Sequence, residues 1–171
     1  MEQTENKVTV SVQMKTAYMF DFLYWHSYSG VMGIINYGFS FAAAAALVFG
    51  FGKGDTLATV ALIVLALLFT VINPLLLLRR AARQIKRTPM FHKPIEYSFD
   101  EKGFAVTQDG ETGEAEWAEV VLVRETKKTL VLYMGAANAI VLPKEECGEK
   151  MTEIKNFLKA ARPVFASKLK K

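Results

Sequence analysis

Residues 31–52, Val31 to Gly52, and residues 56–78, Thr56 to Leu78, carry no charge, and only Gly-Lys-Gly-Asp at residues 52–55 joins them. A helix needs about 20 apolar residues to cross the hydrocarbon core of a bilayer. Both runs reach that length. Backbone polar groups in lipid must be satisfied within helices, and so short a link makes the two helices antiparallel neighbours. The sequence therefore predicts a two-helix transmembrane hairpin. A globular core does not concentrate its apolar residues in this way. The first run lacks the charged flank and small-residue cleavage site of a signal peptide, and a second run follows at once. It reads as a retained membrane helix.

The formal net charge of +4 conceals an uneven distribution. Residues 1–30 carry −1, residues 79–93 carry +6, residues 94–147 carry −6 and residues 148–171 carry +5. Arg79, Arg80, Arg83, Lys86 and Arg87 follow the second run directly, whereas the short link offers only Lys53, offset by Asp55. The positive-inside rule then places residue 79 onward in the cytoplasm. Two spans bring the N-terminus to the same side, so both termini are expected to be cytoplasmic, with the chain in the cell (inner) membrane. An acidic segment between basic flanks is not a nucleic-acid surface. The chain has a single cysteine, Cys147, and no N-glycosylation sequon. No intramolecular disulfide is possible, and a reducing compartment fits.

Four segments are expected: residues 1–30, a strand and an aromatic approach; 31–78, the hairpin; 79–93, a basic linker; and 94–171, a cytoplasmic domain. Residues 7–13, Lys-Val-Thr-Val-Ser-Val-Gln, alternate strictly, which sets Val8, Val10 and Val12 on one face of a half-buried strand. A lone strand is not stable, so this one needs a sheet, and the C-terminal domain offers the only candidate. Residues 16–29 are rich in aromatics, among them Tyr18, Phe20, Phe22, Tyr24, Trp25 and Tyr28. Such residues suit the headgroup layer. Core aromatics of a soluble helix are the other reading.

Short strands are predicted at Ile95–Phe99, Gly103–Gln108, Gly113–Glu119, Val120–Glu125, Thr129–Met134 and Asn138–Leu142. Turn residues such as Asp109-Gly110 separate them. Six short strands indicate an antiparallel meander, either a sandwich or a partly open barrel. A helix follows: Met151, Ile154, Leu158, Ala161 and Phe165 keep a spacing of three and four, until Pro163 ends or kinks it. Lys168, Lys170 and Lys171 are expected to fray.

This order of elements resembles the pleckstrin-homology-like architecture, and more closely the YcxB-like family of bacterial membrane proteins. The resemblance rests on Tyr97-Ser98-Phe99-Asp100-Glu101-Lys102-Gly103-Phe104, on Glu116-Trp117-Ala118-Glu119-Val120 and on Ala139-Ile140-Val141-Leu142-Pro143-Lys144. It implies a membrane α-helical hairpin plus an α+β cytoplasmic domain, a pleckstrin-homology-like meander or partly open barrel with one C-terminal helix. These motifs are structural: an aromatic strand into an acidic glycine turn, a core Trp and a Pro closing the last strand. The family implies no activity and transfers no catalytic residue. The chain departs after Pro143, where Lys144-Glu145-Glu146-Cys147 replaces the expected basic and aromatic run.

Three residue sets carry site expectations. Asn36 and Asn73 lie equally far from the centre of the link, so the hairpin brings them to one depth, where amides in lipid seek partners. An interhelical hydrogen bond between them is one reading, and separate hydration near the interface is the other. Gly38, Ala42, Ala46 and Gly50 form a small-residue stripe that admits a second helix closely. Packing against the second span is the plainer reading, and a homodimer seam the sharper one. Arg79, Arg80, Arg83, Lys86 and Arg87 suit anionic lipid headgroups, although a topology signal alone explains them. The basic tail from Lys159 to Lys171 would touch the membrane in the same manner. Asn73-Pro74 is expected to kink the second helix, because Pro removes a backbone donor.

Catalytic chemistry finds no constellation. Cys147 and His92 are distant and lack a motif. Asp21, His26, Ser27 and Ser29 imitate a triad only in composition. Two histidines and one cysteine make no zinc site. The Gly50–Asp55 run lacks the strand, spacing and Ser or Thr of a phosphate loop. Trp117, flanked by glutamates, reads as core. No cofactor and no metal are expected, and an enzyme is not. The expected role is a membrane-anchored binding or scaffold module, with the lipid bilayer and a protein partner or homodimer as its contacts. The alternative is an accessory subunit that acts through its helices on a larger membrane complex.

Overall fold

The computed structural model describes residues 7–50, 55–135 and 138–169. Most of the link at residues 52–55, most of the Gly50–Asp55 run, and Lys170 and Lys171 lie outside the described residues.

Strand β1, Val8–Val12, pairs antiparallel with β2, Ile95–Phe99. Val8 faces Phe99, Val10 faces Tyr97 and Val12 faces Ile95 across the ladder. The alternation seen in sequence puts all six in the core, while Thr9 and Ser98 meet on the outer face, hydroxyl to hydroxyl at 2.9 Å. A strand that precedes the apolar helices thus completes a sheet whose other strands follow them. That sheet runs β1-β2-β3-β4, with β3 at Gly103–Gln108 and β4 at Glu111–Glu116. A second antiparallel sheet runs β5-β6-β7, formed by Leu122–Glu125, Thr129–Tyr133 and Ala139–Pro143.

The predicted strands divide between two antiparallel sheets, and the break falls at Trp117–Glu119, a turn of 3₁₀ helix where strand was predicted. Glu119 Oε1 accepts from the Glu116 N–H at 3.0 Å, which closes the turn. Trp117 is 2% exposed and donates Nε1–H to the Asp100 carbonyl at 2.9 Å. Burying a ring of that size stabilises the domain by about 3 kcal/mol, and the indole N–H keeps its partner. Asp100 Oδ1 also accepts from the N–H groups of Lys102 and Gly103 at 2.8 and 2.9 Å. A Cβ on Gly103 would stand 2.1 Å from the Ala115 carbonyl oxygen, so no other residue fits this turn.

The C-terminal helix closes the core. A short helical turn, α5, spans Lys144–Cys147 and is followed by α6, Lys150–Ala161. Met151, Ile154, Phe157 and Leu158 are its buried residues. Ala161, expected to face inward, is exposed. Pro163 opens a 3₁₀ turn at Pro163–Lys168, which seats Phe165 in the core.

Numbering the longer helices from the N-terminus, α1 spans Thr16–Tyr28, α2 spans Gly30–Gly50, α3 spans Thr56–Leu67 and α4 spans Asn73–Arg87. A π turn at Leu68–Ile72 joins α3 and α4 into one helix of 32 residues, Thr56–Arg87. This helix and α2 are long and apolar enough to cross a membrane. A kink was expected at Asn73-Pro74; these residues open α4 directly after the π turn. The helix also outruns the apolar segment through the basic residues, because Leu77, Ala81 and Ile85 recur every fourth residue and pack inward. Residues 79–93, expected as a linker, are helical to Arg87 and then turn at Pro89–His92.

The aromatic segment departs further from expectation. α1 lies between α4 and the β5-β6-β7 sheet, and Met14, Tyr18, Met19 and Leu23 share a second core with Leu77, Ala81, Val131 and Val141. Tyr18 is therefore a core aromatic, the second of the two readings of this segment.

Candidate functional site

The residues singled out by sequence come to lie in different settings. Asn73 donates Nδ2–H to Tyr28 Oη at 2.9 Å, and Tyr28 donates its hydroxyl hydrogen to the Phe69 carbonyl at 2.6 Å. Asn36 is half-buried in α2 and makes no described hydrogen bond to Asn73. The expected Asn36–Asn73 pair is thus replaced by an Asn73–Tyr28–Phe69 chain. The π turn explains the choice. The Asn73 N–H reaches back to the Leu68 carbonyl, five residues away. Phe69 loses its usual helical donor, and the next residue, Pro74, has no N–H to give. The hydroxyl at the end of α1 fills the gap.

The Gly38, Ala42, Ala46 and Gly50 stripe does not pack against the second apolar helix. All four residues are exposed, and a Cβ at Gly38 or Gly50 would meet open space. The inner face of α2 instead carries Gly33, Ser40 and Ala43, and Ser40 donates Oγ–H to the Leu65 carbonyl at 3.2 Å. Positions 38 and 40 differ by roughly 200° around the helix, so the stripe points away from α3.

Arg79, Arg80, Arg83, Lys86 and Arg87 are all exposed on the outer face of α4, behind the inward Leu77, Ala81 and Ile85. None joins an ion pair among the described residues. At 1.5 Å of rise per residue, the collar extends about 12 Å along the helix axis.

Sequence reasoning passed over the polar contacts that fix α1 to the domain. Asp21 accepts from the hydroxyls of Thr126 and Thr129, the latter at 2.9 Å, and both threonines are buried. The Arg124 guanidinium lies over the Trp25 ring, 5.5 Å from its centroid. Tyr18 donates to Glu145 at 2.8 Å, and Lys15 Nζ meets Glu146 at 2.5 Å. Burial first, and the Glu145 bond second, push the Tyr18 hydroxyl up to about 12. The hydrogen bond from Lys15 holds the Glu146 carboxyl below its ordinary value. α1 is therefore a strut, held by the domain along one side and by the π turn at its end.

Glu125 went unnoticed as well. Its side chain is 1% exposed, with Oε1 2.6 Å from Lys144 Nζ and 2.7 Å from Lys155 Nζ. This triad, centred on the buried carboxylate, ties β5 to α5 and α6. A charge so placed persists only with its partners. His92 and Cys147 remain apart: His92 Nε2 lies against the Ile85 and Lys86 carbonyls, and Cys147 is buried in the domain core.

Among the described residues, the outer edge of β4 stays open. β4 ends its sheet, and the two-residue turn at Asp109-Gly110, with φ of 52° and 87°, fixes its register. In that register Glu111, Gly113 and Ala115 bond to β3. The N–H and C=O groups of Thr112 and Glu114 point outward, and no described backbone bond uses them. Glu111, Glu114, Glu116 and Glu119 make this edge acidic.

Residues 99–158, from the last residue of β2 to Leu158 in α6, match the family model of the YcxB-like proteins. This stretch is YcxB-like. No curated protein and no solved structure matches the chain. The matched YcxB-like stretch includes Lys144–Cys147, which forms α5 and supplies Lys144 to the Glu125 triad. It also contains the acidic turn at Asp100, the buried Trp117 and the open edge of β4. Strand β1 and the strut lie before it in sequence.

Proposed function

We propose that this protein is a membrane-anchored binding or scaffold module at the cytoplasmic face of the bacterial cell membrane. In this reading α2 and the Thr56–Arg87 helix cross the bilayer, both termini are cytoplasmic, and the YcxB-like domain is pleckstrin-homology-like. Several features support the topology. The two helices have the length and apolarity. The basic collar lies at the domain end of the second helix, where the positive-inside rule wants it. The β1–β2 ladder requires residues on either side of the two helices to share a compartment. A four-stranded and a three-stranded antiparallel sheet closed by a C-terminal helix support the finer fold. The collar would rest among anionic headgroups. The module needs no cofactor and no nucleic acid.

The observation that carries the binding role is the free edge of β4, presented by a domain that the α1 strut holds against the helices. An extended segment of a partner protein would add a strand there, bonding to Thr112 and Glu114. The test places a photocrosslinking amino acid at Glu114 of the full chain in native membranes. A discrete adduct that disappears with Thr112→Pro, which removes an edge N–H, is the expected result. Partners that co-purify without any adduct would shift the role to the helices. That second reading, an accessory subunit of a larger membrane complex, is favoured by the outward stripe at Gly38, Ala42, Ala46 and Gly50.

A further inference from the structure

A cavity of about 310 Å³ opens where the first turn of α1 meets the β5–β6 turn and the start of α5. Four lysines line it, Lys15, Lys127, Lys128 and Lys144, together with Tyr18 and one acidic residue, Glu145. Lys15 and Lys144 already have partners in Glu146 and Glu125, and Glu145 accepts from Tyr18. Lys127 and Lys128 are exposed and join no ion pair among the described residues. Two adjacent lysines on a two-residue turn place two positive charges beside this cavity.

That turn is held firmly. The Lys128 N–H bonds to Thr126 Oγ1 at 3.2 Å, and the Lys128 carbonyl accepts from the Lys144 N–H at 2.9 Å. The facing helix end adds donors. Lys15 is the N-cap of α1 and gives no side-chain cap, so the N–H groups of Thr16 and Ala17 have no partner within the helix. Ala17 lines the same cavity. Free amides and the positive end of a helix dipole favour anions, and lysines reach phosphate oxygens as mobile point charges.

We infer that this cavity binds a small phosphate-bearing anion, a phosphomonoester or a pyrophosphate group, between Lys127, Lys128 and the N-terminus of α1. α1 is 13 residues long, which sets the cavity about 20 Å from the Tyr28 end where the apolar helices begin. The basic collar on α4 ends at a similar height, so the phosphate is either free in solution or carried on a lipid headgroup, and pyrophosphate binding compared with and without anionic lipid in the nanodiscs distinguishes the two. The site is separate from the β4 edge, and the failure of either leaves the other standing.

The test uses the full chain in phosphatidylcholine nanodiscs, with pyrophosphate as the probe and calorimetry as the readout. Saturable 1:1 binding is expected. Lys127→Gln with Lys128→Gln weakens it by about tenfold or more, since two charge-assisted contacts are lost. Lys159→Gln with Lys168→Gln leaves it unchanged. Slow alkylation of buried Cys147 verifies that both variants remain folded. Absence of saturation, or equal weakening in both double variants, overturns the inference. Malonate binding as tightly as pyrophosphate overturns the assignment to phosphate.

Discussion

The Tyr28 hydroxyl accepts from the Asn73 amide at 2.9 Å and donates to the Phe69 carbonyl at 2.6 Å, joining the end of α1 to the π turn of the long helix. Removing the hydroxyl in Tyr28→Phe leaves an orphaned carbonyl in an apolar setting. The expected loss of stability is about 1–3 kcal/mol. A double-mutant cycle with Asn73→Leu should give a coupling of about 0.6–1.7 kcal/mol. Asn36→Leu should show none with Asn73→Leu. Reversible unfolding in detergent micelles measures all three, and additive effects of Tyr28→Phe and Asn73→Leu would sink the link.

The two faces of α2 make opposite predictions. Gly38 faces open space, so Gly38→Leu should leave hairpin stability within about 0.5 kcal/mol. Ala43 is 3% exposed against the neighbouring helix, and Ala43→Leu overpacks that contact at a cost of about 1–3 kcal/mol. Energy transfer between labelled copies adds a second readout. Self-association that falls with Gly38→Leu would identify the outward stripe as a seam between two chains.

Glu125 and Lys93 contrast a buried with an exposed charge. Glu125→Gln removes the buried carboxylate charge that both lysines face, and the expected cost is about 3 kcal/mol. The Lys93–Asp109 pair, at 2.8 Å, has both side chains more than half exposed. Lys93→Gln should cost less than about 0.5 kcal/mol. Denaturant midpoints at constant slope separate the two. A Glu125→Gln midpoint equal to wild type would mean that the triad contributes nothing net.

Stability should fall at both ends of the pH scale for reasons found in adjacent residues. The Lys15 contact lowers the Glu146 carboxyl, so its contribution is full above the ordinary carboxylate range and is lost as pH falls through the lowered value. Glu146→Gln should flatten the acid limb. Burial pushes the Cys147 thiol up to about 11 from an ordinary 9.0. The unfolded thiol ionises first, so this contribution is present below pH 9.0 and is lost as pH rises toward 11. Thermal unfolding across pH checks both limbs. Alkylation of Cys147 at pH 8 should be slow in the folded chain and fast in denaturant; equal rates would contradict the burial.

Much of the fold was legible because its signals are local. The alternation of Val8, Val10 and Val12 marks a strand whatever its partner. The Asp109-Gly110 pair marks a hairpin turn because its conformation demands such residues. The position of Trp117 between glutamates identified a core residue, although not the 3₁₀ turn that carries it. That turn depends on the Glu119 carboxylate bending back to the Glu116 amide, a contact that period-two alternation does not register.

The sequence by itself determined most of the strands, which two helices are apolar enough to span a bilayer, and that β1 needed a distant sheet, but neither the helix at Thr16–Tyr28 nor the run of α4 through Arg87. Only the tertiary structure decided what each face meets. Tyr28 reaches Asn73 because the π turn before Pro74 frees a carbonyl, a backbone choice that no residue spacing announces. The Gly38 to Gly50 stripe turned outward because Ser40 and Ala43 claimed the contact with α3. Tyr18 entered a core because α4 continued past its apolar run and trapped α1 against β6 and β7. Periodicity reports that a face is apolar; the rotation of a helix about its axis, and the partner that covers it, are settled by pairwise packing between segments far apart in the chain.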